Sequence, residues 1–414
     1  MKSFDHRMMR WLLLPLLALL LNACSDDSEE ANKQYANFTV QSGSPGYEDN
    51  ELAPAATRAG DEPTAPVPVS WAPNTEQVKY YDYSDLNKVF EDQKNLVNKN
   101  IGVFFTKDTP FDDGKYYQEG TFFYRESKNE WNLTMDVSLG AYYLYGFIPR
   151  EDVASASIAP NPTYSDGAVL TLHGMNTVTP SDVCVIIGAK EGTAENTVTG
   201  LQAGSFLTNV ASTVEGEGGG ENHIFLLFDH LYSALRFKFK VDEEYAALRT
   251  IRVRKLELIA YSDDSGGGVR AKYNATITLK KQDENASPII GEVTFTPDNE
   301  SSWVSPVPLF EGEVALSTTA PNEFMGCFVP GVNTYFKLRS TYDVYDTNTT
   351  INPKGNLIRQ NCKAENTIDL RKWFGNVTTR RGHSFSLTMT VQPTYLYMLS
   401  DPDLDNPTVT IATE

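Results

Sequence analysis

From Val67 onward the chain is a succession of short apolar or alternating runs, punctuated by Gly, Pro, Asn and Asp. This rhythm restricts the fold more than any other feature. Runs of this kind read as strands, and strands that follow strands with few intervening helical patterns build sheet packed on sheet. The first series comprises Val67 to Trp71, Ile101 to Phe105, Tyr116 to Tyr124, Trp131 to Met135, Ala141 to Ile148, Val169 to Leu172 and Val183 to Ile187. A second series runs from Ile224 to Phe228 through Tyr273 to Leu279 and on to Phe385 to Val391, and in it Phe237, Phe239 and Val241 alternate with Arg236, Lys238 and Lys240. That alternation marks a strand with one face wet. Only Leu86, Val89, Phe90, Leu96 and Val97 fall at helical spacing, with Asp85 placed to cap them. The fold class expected is all-β, in two sandwich domains. The glycine-rich, acidic stretch Glu215 to Asn222 separates them, giving domains over 59–216 and 217–392.

The N-terminus carries a different signal. Lys2, Arg7 and Arg10 precede the apolar run Trp11 to Leu21, and small residues lead into Cys24. This is the layout of a lipoprotein signal peptide over 1–23, with Cys24 as the acylated first residue of the mature chain. The apolar run is about half of the ~20 residues a spanning helix needs. An acidic tether, Ser25 to Glu30, follows. Next, Ala36, Phe38 and Val40 alternate with Asn37 and Thr39, as in a half-buried strand. The segment Gln41 to Arg58 is rich in Pro, Gly, Ala and acid, so it is expected to stay extended and open to proteases. Arg58 is the only arginine between Cys24 and Arg125. Cleavage between Arg58 and Ala59 would release the 24–58 propeptide, lipid and Phe38 strand together.

Against 54 acids the chain has 35 bases, a net charge of -19. That excludes nucleic acid as a partner, because phosphate recognition needs clustered Lys and Arg. Besides Cys24 there are three cysteines, Cys184, Cys327 and Cys362. Cys184 and Cys327 lie in strand-like runs, where cysteine acts as a small hydrophobe. A bridge between Cys327 and Cys362 stays open at this level.

Catalytic constellations do not emerge. His173, His223, His230 and His383 stand singly, with no paired metal spacing, and His230 reads as a hydrogen-bonded structural histidine. There is neither a nucleophile elbow nor a phosphate-cradling loop. Asp401, Asp403 and Asp405 open like a calcium loop, but Asn406 and Ala412 occupy the positions that need Gly and Glu. The expectation is a non-enzyme with no cofactor and no metal.

After Phe385 to Val391 the chain continues through Tyr395, Leu396, Tyr397 and Leu399, turns through an acidic, Pro-containing stretch, and ends in Val409 and Ile411. Apolar strands at the end of a chain need a sheet edge. One reading pairs them within their own domain. The other makes 393–414 a donor-strand extension that pairs with a neighbouring molecule.

The lipobox ending at Cys24, Thr57-Arg58-Ala59, Ile101-Gly102-Val103-Phe104, Tyr142 to Pro149, Phe228-Asp229-His230-Leu231-Tyr232 and the Tyr395 to Pro407 ending together resemble the fimbrillins, the fimbrial subunit lipoproteins of Bacteroidales. The resemblance implies two transthyretin-like β-sandwich domains and no enzymatic activity. It implies export to the outer membrane on the Cys24 lipid, removal of the first strand by an Arg-specific protease, and polymerisation with other copies by strand exchange into a fimbrium. A stalk subunit is the role it favours, with a tip or accessory adhesin as the alternative and a host or bacterial surface ligand as a further partner. A rival from another class is a monomeric, glycan-binding surface lipoprotein that uses Tyr142, Tyr143 and Tyr145 as stacking platforms.

Overall fold

The computed structural model describes residues 37–43, 48–51, 81–82, 99–107, 117–125, 130–134, 140–163, 167–191, 204, 206–210, 222–279, 290–374, 379–395 and 402–411. Cys24, Ala36, Arg58, Ala59, the Val67 strand, the helical spacing at Leu86 to Val97, and Leu396, Tyr397 and Leu399 lie outside these residues.

The chain is all-β. Its first half contributes β1 (Asn37–Gly43), β2 (Glu48–Glu51), β3 (Tyr81–Asp82), β4 (Ile101–Thr106), β5 (Tyr117–Arg125) and β6 (Glu130–Leu133). It continues with β7 (Gly140–Ile148), β8 (Ser155–Pro160), β9 (Ala168–Asn176), β10 (Val178–Thr179), β11 (Cys184–Glu191) and β12 (Leu207–Val210). The second half contributes β13 (Asn222–His230), β14 (Ser233–Val241), β15 (Arg249–Tyr261), β16 (Lys272–Leu279), β17 (Ile290–Pro297) and β18 (Val307–Ala315). It ends with β19 (Asn322–Phe328), β20 (Tyr335–Asp346), β21 (Leu357–Asp369), β22 (His383–Tyr395) and β23 (Pro402–Ile411). Two short helices, α1 (Glu243–Ala246) and α2 (Leu370–Phe374), join strands. The Asp242 carboxylate caps α1 by accepting from the Tyr245 N–H at 3.0 Å.

These strands make two bodies. In the first, a nine-stranded sheet runs β11-β13-β1-β6-β5-β4-β7-β12, with β3 also on β1. A further pairing, Cys184 with Ile148 and Val185 with Phe147, joins β11 to β7 and closes the sheet on itself. Alternation then sorts side chains to two sides. Ile101, Val103, Phe105, Phe122, Leu133, Leu144, Ile186, Ile224, Leu226 and Phe228 form one apolar cluster inside the closed sheet. Phe104, Tyr145, Phe147, Val185, Phe225 and Leu227 face the other way and pack on a four-stranded sheet ordered β17-β16-β9-β8. Closure brings β4 and β7 close together. A Cβ at Gly146 would lie 2.2 Å from the Gly102 carbonyl oxygen, so only glycine fits there.

The second body packs the sheet β10-β19-β14-β22-β2, with β23 on β22, against the sheet β18-β15-β20-β21. Its core takes the alternate residues Leu235, Phe237 and Phe239 of β14 and Phe385, Leu387, Met389 and Val391 of β22. They meet Ile251, Val253, Leu256, Phe336 and Leu338 from the facing sheet. Arg236, Lys238 and Lys240 lie on the wetter face, as the alternation required.

The division in sequence at 216/217 does not coincide with the division between sheets. β13 pairs with β11 and β1 of the first body, and β16 and β17 return to it through β9. Cys327 and Cys362 are both buried, and neither is in a disulfide. They belong to different cores, Cys327 to the first body and Cys362 to the second, so no bridge joins them.

Candidate functional site

Two segments that the sequence marked as removable or exchangeable both occupy places in sheets. β1 carries Phe38 and Val40 and is an interior strand. It runs parallel to β13, with Phe38 opposite Asn222, Val40 opposite Ile224 and Ser42 opposite Leu226. On its other edge Asn37 and Phe38 pair antiparallel with Asn132 and Trp131 of β6. Since Ile224 and Leu226 belong to the cluster inside the closed sheet, β1 is one of the staves that seal that cluster. Lifting it out would break both ladders and open the cluster to water.

The expectation that Gln41 to Arg58 stays merely extended needs correcting. β1 persists to Gly43, and Glu48-Asp49-Asn50-Glu51 forms β2, parallel to β22 with Glu48 opposite His383 and Glu51 opposite Ser386. Residues 37–43 and 48–51 therefore contribute one strand to each body. No apolar periodicity announces β2, because it joins through its backbone on a sheet edge.

β22 organises the other end. Along one edge it pairs with β14 from Ser384 to Val391. Its other edge is shared: β2 covers His383 to Ser386, and β23 covers Met389 to Tyr395, with Ile411 opposite Met389. The terminal strand thus has an edge in its own body, where the sequence had left Val409 and Ile411 without an assigned one. Val409 is 5% exposed, and Leu404 and Ile411 pack against the same core. Hydroxyls and amides hold the backbone of this tail. Tyr342 Oη donates to the Pro407 carbonyl at 2.5 Å, Tyr245 Oη to the Leu404 carbonyl at 2.9 Å, and Asn366 Nδ2 to the Val409 carbonyl at 2.6 Å. Burial raises both phenols well above their ordinary range, so they remain donors throughout the accessible pH scale. Asp405 binds Arg249 at 2.8 Å, a role in an ion pair. Sequence reasoning missed Tyr245, Tyr342 and Asn366, which lie far from the tail and carry no local signal.

One cluster has the residue types of a metal site. Asp182, Cys184 and His230 are buried with their ligand atoms together. His230 Nδ1 donates to Asp182 Oδ2 at 2.5 Å, and the Cys184 thiol lies 3.4 Å from the same oxygen. Two ligands on one zinc stand about 3.3 Å apart given the usual bond lengths, so the His230–Asp182 contact is a direct hydrogen bond. Burial pushes the Cys184 thiol far up, with Asp182 adding to the shift, so it is held as a neutral thiol. The cluster ties the end of β13 to the start of β11 as a structural network, matching the reading of His230. Tyr142 and Tyr145 are buried and Tyr143 packs against the first core, which removes the exposed stacking platform that the glycan reading needed.

No protein-family profile matches the sequence, and no curated protein does. Solved structures of similar shape exist. A candidate cell adhesion protein from Bacteroides fragilis is 11% identical with a TM-score of 0.34, over 91% of this chain and 97% of its own. A fimbrial protein from Bacteroides vulgatus is 13% identical with a TM-score of 0.28, over 77% and 93%. The fimbrial anchor protein Mfa2 from Porphyromonas gingivalis is 10% identical with a TM-score of 0.24, over 92% and 98%. At such values the likeness carries no argument about this chain.

Proposed function

We propose that this chain is the precursor of a surface fimbrial subunit, a stalk component, that is exported as a lipoprotein on Cys24 and polymerises by strand exchange after cleavage between Arg58 and Ala59. The observation that carries this reading is the place of β1, an interior stave closing the sheet around Ile101, Phe105, Phe122, Ile224 and Leu226. A stave on a separate, cleavable segment is a plug. While it is present the subunit is complete and stays monomeric. Once it leaves, two unpaired ladders flank an apolar slot that only another strand can satisfy. The donor would be the tail of a second copy, 393–414, carrying Tyr395, Leu396, Tyr397, Leu399, Val409 and Ile411. Contact of this head-to-tail kind does not close on itself and grows as a filament.

Blocking the cut tests the reading. Arg58→Ala in the full chain should yield a folded, lipid-anchored monomer that an Arg-specific protease no longer shortens and that forms no filaments by electron microscopy. Filaments from this variant at the wild-type rate would overturn cleavage as the trigger.

A further inference from the structure

A cleft of about 400 Å³ opens between the two bodies, at the foot of β22. That volume lies within the range of small-molecule sites, toward its lower end. One wall is apolar: Val293 and Phe295 of β17, with Pro330 from the turn after β19. The other is basic, formed by Arg380, Arg381 and His383. No lining residue is acidic, although the chain as a whole carries a charge of -19.

The basic wall is built rigidly. Thr379 Oγ1 accepts from the Gly331 N–H at 2.7 Å, and the Arg380 carbonyl accepts from Ser233 Oγ at 2.6 Å. The Arg381 guanidinium pairs with the buried Asp229 carboxylate. Gly382, at φ +72°, donates its N–H to the Tyr232 carbonyl at 2.8 Å. Every residue from 379 to 382 is therefore pinned, three of them to the connection between β13 and β14 and its flanks. Within this frame the Arg380 side chain is exposed and engages no carboxylate among the described residues. A fixed backbone that carries one unused guanidinium into the same cleft as an aromatic ring suits a carboxylate attached to a flat, C–H-rich body.

We propose that this cleft binds a carboxylated sugar, such as a sialic or uronic acid, with the carboxylate on Arg380 and the ring face against Phe295 and Pro330. The site involves none of the buried tyrosines, and its His383 stands opposite Glu48 of β2, on the edge where β2 joins β22. Neutral sugars lack the group that Arg380 selects, and added salt should weaken the contact.

Titration of the full chain with N-acetylneuraminic acid and with glucuronic acid, followed by calorimetry or saturation-transfer NMR, tests this. Saturable binding of at least one acid is expected, with at least a tenfold preference over glucose and over the methyl ester of glucuronic acid. Arg380→Ala and Arg380→Gln should each weaken it at least tenfold while melting at the wild-type temperature. The proposal is overturned if neither acid shows saturable binding, if the ester binds as well as the acid, or if both variants bind as the wild type does.

Discussion

β1 and β23 are both strands near a chain end, but the sheets hold them in opposite ways. β1 is bonded on both edges and stands parallel to β13, so its removal leaves two ladders open and a core unsealed. β23 is bonded on one edge, antiparallel to β22, and contributes chiefly Val409 to the core. Detaching it exposes one ladder, uncovers Val409 and takes the Leu404, Pro407 and Val409 carbonyls from Tyr245, Tyr342 and Asn366. Under the proposed strand exchange, the deeply seated strand would be the one cut free to leave an acceptor, and the strand bonded on one edge would be the donor.

The largest effect should come from deleting each in turn. A 59–414 form, kept dilute enough to stay monomeric, should melt about 10 °C or more below the 24–414 form, since several interior side chains lose cover. Removing 402–414 from the 24–414 form should lower the melting temperature by about 5 °C and leave a single cooperative transition. Calorimetry on the two forms decides it, and a tail deletion costing more than the deletion of 24–58 would reverse the ranking. A finer probe is Val409→Ala, expected to cost about 2 kcal/mol for two buried methyl groups. The same change at the more exposed Ile411 should cost less, as read by denaturant unfolding.

The smallest effect concerns the surface beside the tail. Glu365 on β21 binds Arg339 at 2.7 Å and Lys337 at 3.1 Å, and these partners hold its carboxyl below the ordinary value of 4.5. A lowered value means the pair stabilises the fold above pH 4.5 and loses that contribution as the pH falls through the folded-state value. Glu365→Gln should therefore cost about 0.5 kcal/mol or less at pH 7. The gap between variant and wild type should close in unfolding curves taken at progressively lower pH.

How much of this was legible in the sequence depended on where each strand lies. β14 was readable because its alternation meets a buried core on one face, and β7 because its run is apolar nearly throughout and buried on both faces. β8, β21 and β2 were not, with Ser-Ala-Ser-Ile-Ala-Pro and Glu-Asp-Asn-Glu among them. All three are edge strands, secured by backbone hydrogen bonds that leave no apolar mark. The pattern at Tyr273 to Leu279 announced a strand correctly yet could not name its partner. Pairing with β9, about a hundred residues away, is decided by the assembled core and not by the local run. At the candidate site, Phe38 and Val40 were legible as a strand, while its interior position and the seating of Val409 in the second core needed the whole sheet.

The return of β16 and β17 to the first body, from a stretch of chain whose neighbours β15 and β18 lie in the second, has a mechanical consequence. Two beads on a single tether could swing about it. Here the backbone crosses the junction repeatedly, and residues from both sides, including Met325 and Val329 beside Leu231 and Ala234, fill one continuous core across it. Bending one body against the other would shear several strands and that shared packing at once. Each molecule should behave as a stiff strut, so that any compliance of an assembly made from it resides in the contacts between molecules.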